Sequence, residues 1–320
     1  MAVAAPESGL RKTRPAYDRV GDSALRIVTA FCAAVSVLLI AAIIWKVLQG
    51  AWPSIKVFGI SFVWHSEWNP VTSVFGAWQF ILGTLITAVG GLLIAAPLSI
   101  AIGLFLSELA PASIRGPIGS LVDMLAAVPS VVIGLWGIYV LLPFVYNDVE
   151  PFLHKWFGWI PIFGQPSPAG VFPAMLVLAI MATPITSSIC RELFVNVPRD
   201  LQEASIGLGA TRWETVRGVT IPQVGGGVVA GIILGLGRAL GEAIAVTQVI
   251  GNGIPLKLNI FQPGATLASQ LANQYSSAVS DLHVASLIYL ALILLVITFT
   301  ANLIAQRIVH RFDLAKAGAR

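Results

Sequence analysis

Six apolar runs, each long enough to cross a lipid bilayer, dominate this 320-residue chain. They cover approximately Ile27–Leu48, Gly76–Leu106, Ile118–Tyr146, Ala169–Cys190, Val224–Val249 and His283–Ala305. A spanning helix needs about 20 apolar residues at about 1.5 Å of rise each. Lipid offers no partner to a backbone N–H or C=O, so a run of this kind must satisfy its backbone internally, as a helix. Only 11% of the residues are charged and the mean hydropathy is +0.85, against about 25% charged in soluble domains. The expected fold is therefore an all-α integral membrane protein with six transmembrane helices. A signal peptide does not explain the first run, because an h-region is usually about 7–15 residues long.

An even number of spans puts both termini on one side. Fourteen of the nineteen Lys and Arg residues lie in the N-terminal arm, the Arg115 turn, the Arg191–Arg217 loop and the tail. The alternate loops hold only Lys56, Lys155 and Lys257. Cytoplasmic loops collect Lys and Arg, so the bias predicts cytoplasmic termini. It also explains the net charge of +4 without invoking nucleic acid. The predicted organisation is a cytoplasmic arm over residues 1–26 and one membrane domain over 27–320, with a cytoplasmic loop at about 191–223. Asn147–Pro168 reads as an interfacial loop, and Gly83 and Gly90 as one closely packed helix face. Two cysteines, Cys32 and Cys190, suit neither a disulfide framework nor a metal site, and no metal is expected.

The loop before the fifth run is too well patterned to be a bare connector. Pro198 suits the first position of a helix, where its missing N–H costs nothing. Leu201, Ala204, Ser205 and Leu208 recur at helical spacing, and Gly207 and Gly209 end the helix. Thr211-Arg212-Trp213-Glu214 forms a capping box for a second short helix running to about Val216, and Pro222 closes the segment. The pattern gives a cytoplasmic elbow that offers Leu208 and Trp213 to a partner. The alternative is an interfacial hairpin without one.

Within the fifth run, Arg238 and Glu242 stand four apart, on one face of a continuous helix. Ionisable groups in lipid are costly and either pair with each other or face a pathway. In the first reading the two are an internal ion pair that fixes helix packing. In the second, Arg238 offers a planar donor fork to an oxyanion, and Glu242 orients it or prevents permanent trapping. Thr247 and Gln248 follow, and either line that path or bond to neighbours. Gly227, Gly231 and Gly235 form a small-residue stripe suited to close helix packing.

Glu203-Ala204-Ser205, Gly209, Val219, Ile221 and Pro222 resemble the EAA loop of ABC importer permeases, EAA-x3-G-x9-I-x-L-P. The spacing matches throughout, with Ser205, Val219 and Ile221 as substitutes. In that family the loop is a coupling helix seated in a cleft of the ATPase. The resemblance thus assigns coupling to Glu203, Ala204, Ser205, Leu208, Gly209, Thr211, Arg212, Trp213 and Glu214. No GxxxxGK[ST] motif occurs in the chain, so ATP and magnesium belong on another subunit. Gly237–Glu242 (GRALGE), Leu125–Gly137 (LAAVPSVVIGLWG) and Phe75-Gly76-Ala77 are similar to the PstC family of phosphate permease subunits. The likeness covers about residues 20–312. It implies a type I ABC importer permease fold in the bacterial inner membrane and no catalytic activity in this chain. It also implies a PstA-like sister permease, a PstB-like ATPase dimer, a PstS-like extracytoplasmic binding protein, and inorganic phosphate as the cargo. A sulfate or molybdate permease would share the EAA loop but not the GRALGE and PSVVIGLWG runs together. An ion-coupled secondary transporter would use Glu242 as its ion site, and the EAA spacing argues against it.

Overall fold

The computed structural model describes residues 16–253 and 259–317. The N-terminal arm up to Pro15, Lys257 and Arg320 lie outside them. Among the described residues the regular elements are all helical, and six helices are long and apolar enough to cross a membrane. The helices are α1 (Ala16–Phe58), α2 (Trp78–Leu109), α3 (Ala112–Ala126), α4 (Ser130–Phe157) and α5 (Val171–Val195). After them come α6 (Arg199–Gly207), α7 (Arg212–Gly241), α8 (Ile244–Val249), α9 (Leu267–Gln274) and α10 (Asp281–Ala317). The chain divides into two compact units at Gln49/Gly50. The first unit carries the apolar run of α1, whose hydroxyls bond within the helix: Thr29 Oγ1 donates to Leu25 O at 2.8 Å and Ser36 Oγ to Cys32 O at 2.9 Å.

Prolines decide where the remaining helices widen or break. Four turns carry an i→i−5 bond: Ala110 N to Phe105 O, Leu142 N to Gly137 O, Glu150 N to Val145 O and Ile221 N to Val216 O. A proline follows each at once, Pro111, Pro143, Pro151 and Pro222. Proline has no N–H, and its ring collides with the carbonyl four residues back; a π-type turn opens the space. The helix therefore runs through Pro143, Pro151 and Pro222 instead of stopping there.

That changes three sequence expectations. The third span is Ser130–Phe157 and not Ile118–Tyr146. Helix α3 ends before it, because Pro129 (φ −58°, ψ 137°) forces the chain out of helix and disfavours helical backbone at Val128. Half of the expected Asn147–Pro168 loop is consequently helical. Pro222 does not end the elbow, since α7 continues through it from Arg212 to Gly241. Helix α1 reaches Phe58, well beyond Leu48, and α9, capped by Thr266 and Ser269, forms between the fifth and sixth spans.

Helix α5 lies at the centre, flanked by α2 and α7, and its inner face is almost wholly buried. The glycine stripe on α7 meets it turn by turn. A Cβ at Gly227, Gly231 or Gly235 would stand 2.8 Å from Leu193, 3.0 Å from Ile189 and 2.7 Å from Thr186. The residue numbers fall on α5 as they rise on α7, so the two helices run antiparallel. Gly90 packs against Met175, while Gly83 meets the Ala265 carbonyl; both make close contacts, but to different elements. Beside Gly83, Thr84 Oγ1 accepts the Leu267 N–H at 2.9 Å and so fixes the start of α9. An aromatic core of Phe62, Trp68, Phe75 and Phe80 surrounds that junction. Helix α3 is held to α5 by Arg191–Asp123 at 2.9 Å, with the guanidinium lying over Gly119.

The close approach at Gly83 is directly testable. Gly83→Ala would push a methyl into the Ala265 carbonyl, and such overpacking costs about 1–3 kcal/mol. It should lower the thermal unfolding midpoint of the detergent-purified protein. Gly225→Ala, where no atom lies within 4 Å, should leave that midpoint unchanged or raised, since alanine favours helix by up to about 1 kcal/mol. Equal midpoints for the two variants would contradict the assigned contact.

Candidate coupling elbow and translocation residues

The elbow is built by its own local bonds. Pro198 (φ −57°, ψ 127°) is the N-cap of α6 and not its first helical residue. At the other end Gly209 takes φ +90°, a backbone that disfavours any L side chain by about 1–2 kcal/mol. This turn lets Ala210 N reach Ser205 O at 3.2 Å and Gly209 N reach Ile206 O at 2.9 Å, satisfying carbonyls at the helix end. The expected capping box is present. Glu214 N donates to Thr211 Oγ1 at 3.3 Å, and Thr211 N donates to Glu214 Oε2 at 2.8 Å. A bond of 3.1 Å between the Ser205 and Thr215 hydroxyls closes α6 onto the start of α7.

Glu203, Ala204, Leu208, Gly209, Thr211, Arg212, Trp213 and Glu214 are all exposed on this elbow, and Ser205 is half-buried. Leu208 is 91% and Trp213 67% exposed, with Leu201 and Ile206 also open. These apolar side chains rise from a segment otherwise rich in Arg, Asp and Glu. Leu208 and Trp213 are the most exposed of them.

The second candidate site differs from its expected form. Helix α7 stops at Gly241, and Glu242 (φ −72°, ψ 117°) is extended. Arg238 and Glu242 therefore do not share a continuous helix face. Arg238 is exposed and, among the described residues, forms neither an ion pair nor a hydrogen bond. The internal-pair reading of these two residues is not the arrangement in the structure. Glu242 instead turns to the next helix, where its Oε1 accepts the Ala245 N–H at 3.3 Å. A carboxylate near the start of α8 complements the free N–H groups there.

Thr247 and Gln248 lie on α8, past this break. Thr247 Oγ1 donates to Ala243 O at 2.6 Å and lies 3.4 Å from Ser269 O of α9. Gln248 packs against Gly134 of α4, and its Oε1 is buried with no hydrogen-bond partner among the described residues. The structure thus brings Thr247 and Gln248 onto a junction of α4, α8 and α9, with Glu242 leading into it and Arg238 one turn earlier. Sequence reading missed the break itself, although Gly241 before Glu242 is its trace. It also missed a contact between Gln202 of α6 and Glu108 of α2, 3.1 Å apart, which no local pattern connects.

Comparison with known proteins places this architecture. Residues 99–314 match the family described as "Binding-protein-dependent transport system inner membrane component". The chain is 42% identical over 312 residues to "Phosphate transport system permease protein PstC" of Pasteurella multocida, covering 95% of this chain and 97% of that one. It is 41% identical over 303 residues to the protein of the same name from Mesorhizobium japonicum, covering 93% and 92%. Among solved structures, a bacterial alginate ABC transporter in complex with an alginate-bound periplasmic protein aligns with a TM-score of 0.58 at 17% identity. That alignment covers 92% of this chain and 98% of the other. The inward-facing MetNI methionine ABC transporter aligns with a TM-score of 0.52 at 19% identity, covering 77% and 99%. These two likenesses are of fold. A family match over two thirds of the chain, and relatives above 40% identity along nearly all of it, show that the protein belongs to the binding-protein-dependent transport system inner membrane component family.

Proposed function

We propose that this chain is a non-catalytic permease subunit of an ATP-driven importer of inorganic phosphate. It forms the translocation pathway with a PstA-like sister permease. The elbow docks a PstB-like ATPase, ATP and magnesium are bound on that ATPase, and a PstS-like protein delivers phosphate from outside. Membership of the family and the names of the relatives support the transport role. The exposed Leu208 and Trp213 support docking at the elbow. The Lys/Arg bias supports cytoplasmic termini.

The observation that carries the pathway assignment is Arg238, exposed and, among the described residues, unpaired on a bilayer-crossing helix. A guanidinium there must face a polar route or another protein, not lipid. Its planar fork matches two phosphate oxygens, as a lysine would not. Glu242, close by but bonded to α8, adds a negative charge that limits how tightly an anion is held, so that phosphate can leave as well as enter. ATP-driven closure of the ATPase dimer would move the elbows and switch the side to which this path opens.

Arg238→Gln should reduce phosphate uptake at least tenfold while the complex still copurifies, and Arg238→Lys should restore part of it. Combining Arg238→Gln with Glu242→Gln should not recover uptake, because the two are not a pair whose joint removal is neutral. Recovery to near wild-type rates would overturn the pathway role. In intact cells, a cysteine at Ser276 should react with a membrane-impermeant thiol reagent and one at Thr211 should not. Labelling at Thr211 would reverse the orientation.

A further inference from the structure

Helix α6 has little holding it to the membrane body apart from its own chain ends. Its side chains make three hydrogen bonds to other helices among the described residues. Two reach the start of α7, which follows it in the chain: Ser205 to Thr215 at 3.1 Å and Gln202 Nε2 to Thr220 Oγ1 at 3.5 Å. The third crosses to a separate span. Gln202 Nε2 donates to Glu108 Oε1 at 3.1 Å, on the widened last turn of α2. Around this contact lies a cavity of about 240 Å³ lined by Glu108, Leu109, Gln202, Ile206, Arg212 and Thr215, among others. A gap of that size offers little packing resistance to a shift of α6 toward α2, because side chains across a void lack the dense contacts of a filled core. The hydrogen bond is then the stiff element across a soft joint.

We infer that Gln202 and Glu108 are positioning residues, a latch through which displacement of the elbow is passed to α2. This inference rests on the reading that the elbow docks an ATPase. The route onward is continuous. Helix α2 runs from Glu108 back to Thr84, which accepts the Leu267 N–H of α9 at 2.9 Å. On α9, Ser269 O lies 3.4 Å from Thr247 Oγ1, past the break at Glu242. The elbow and the candidate translocation residues are thus joined by α2, the first turn of α9 and three hydrogen-bonded contacts, of which the latch is the innermost. A charge-assisted bond to a carboxylate suits this task, being stronger than a neutral hydrogen bond and more directional than apolar packing.

The test uses the complete transporter, this chain with its sister permease, ATPase and binding protein, reconstituted in liposomes. The readout is phosphate transported per ATP hydrolysed. Gln202→Glu sets two carboxylates against each other and should lower that ratio at least tenfold. The ATPase should still copurify with this variant. The exchanged pair, Gln202→Glu with Glu108→Gln, re-forms the bond with donor and acceptor reversed and should return the ratio to within about threefold of the native value. A native ratio in Gln202→Glu, or an exchanged pair as impaired as the single variant, would overturn the latch. Docking is read separately, by ATPase capture. Trp213→Asp should abolish capture if the elbow is the docking surface. Undiminished capture by Trp213→Asp would remove the docking reading and the latch with it, whereas a latch failure alone leaves capture lost in Trp213→Asp and intact in Gln202→Glu.

Discussion

Backbone hydrogen bonding in a medium that offers no substitute partner is the constraint on which this structure depends. Each span must keep its N–H and C=O groups paired, yet the chain carries nineteen prolines, several of them inside spans. Three of these, Pro143, Pro151 and Pro222, are accommodated by the same device, a turn widened to i→i−5 directly before the proline, whereas the like turn before Pro111 ends α2. The helix runs on through those three prolines, and the elbow joins the fifth span through Val216–Thr220. Where the chain does break, at Ala127–Pro129 and at Glu242–Ala243, local bonds close the ends. Those two breaks lie at the starts of α4 and α8, which pack on each other through Gly134 and Gly137.

Packing without a hydrophobic driving force requires small residues at contacts. Helix α7 meets α5 through Gly227, Gly231 and Gly235, while Ala230, Leu234 and Arg238 are exposed. Arg238 stands three residues after Gly235, on the same helix face and beyond the last of these glycine contacts. The elbow bonds to itself through its caps and to α2 through Gln202, leaving Leu208 and Trp213 outward.

How much of this was legible in the sequence depended on the range of the interaction. Thr211 and Glu214 are three residues apart, and their capping box was readable because both partners lie in one turn. The glycine stripe was equally legible from its spacing, although its partner was not. The span count followed from hydropathy alone. The ends of the spans did not, because Pro222 was read as a stop and Pro129 fell inside the expected span Ile118–Tyr146. Before Pro143, Pro151 and Pro222 the turn widens and the helix runs on, which composition does not encode. The four-residue spacing of Arg238 and Glu242 predicted a shared face only while the helix was continuous. One extended residue after Gly241 removed it. Gln202–Glu108 and Thr84–Leu267 join residues about a hundred and nearly two hundred positions apart, and no local pattern could have paired them.

The central claim is that this chain conducts phosphate under the drive of a separate ATPase. Proteoliposomes containing the chain, its sister permease, the ATPase and the binding protein test it most directly, with labelled phosphate and labelled sulfate supplied on the binding-protein side. The account predicts ATP-dependent accumulation of phosphate, absent when this chain is omitted, and no comparable accumulation of sulfate. Equal accumulation of both anions, or phosphate uptake that persists without ATP or without this chain, would contradict it.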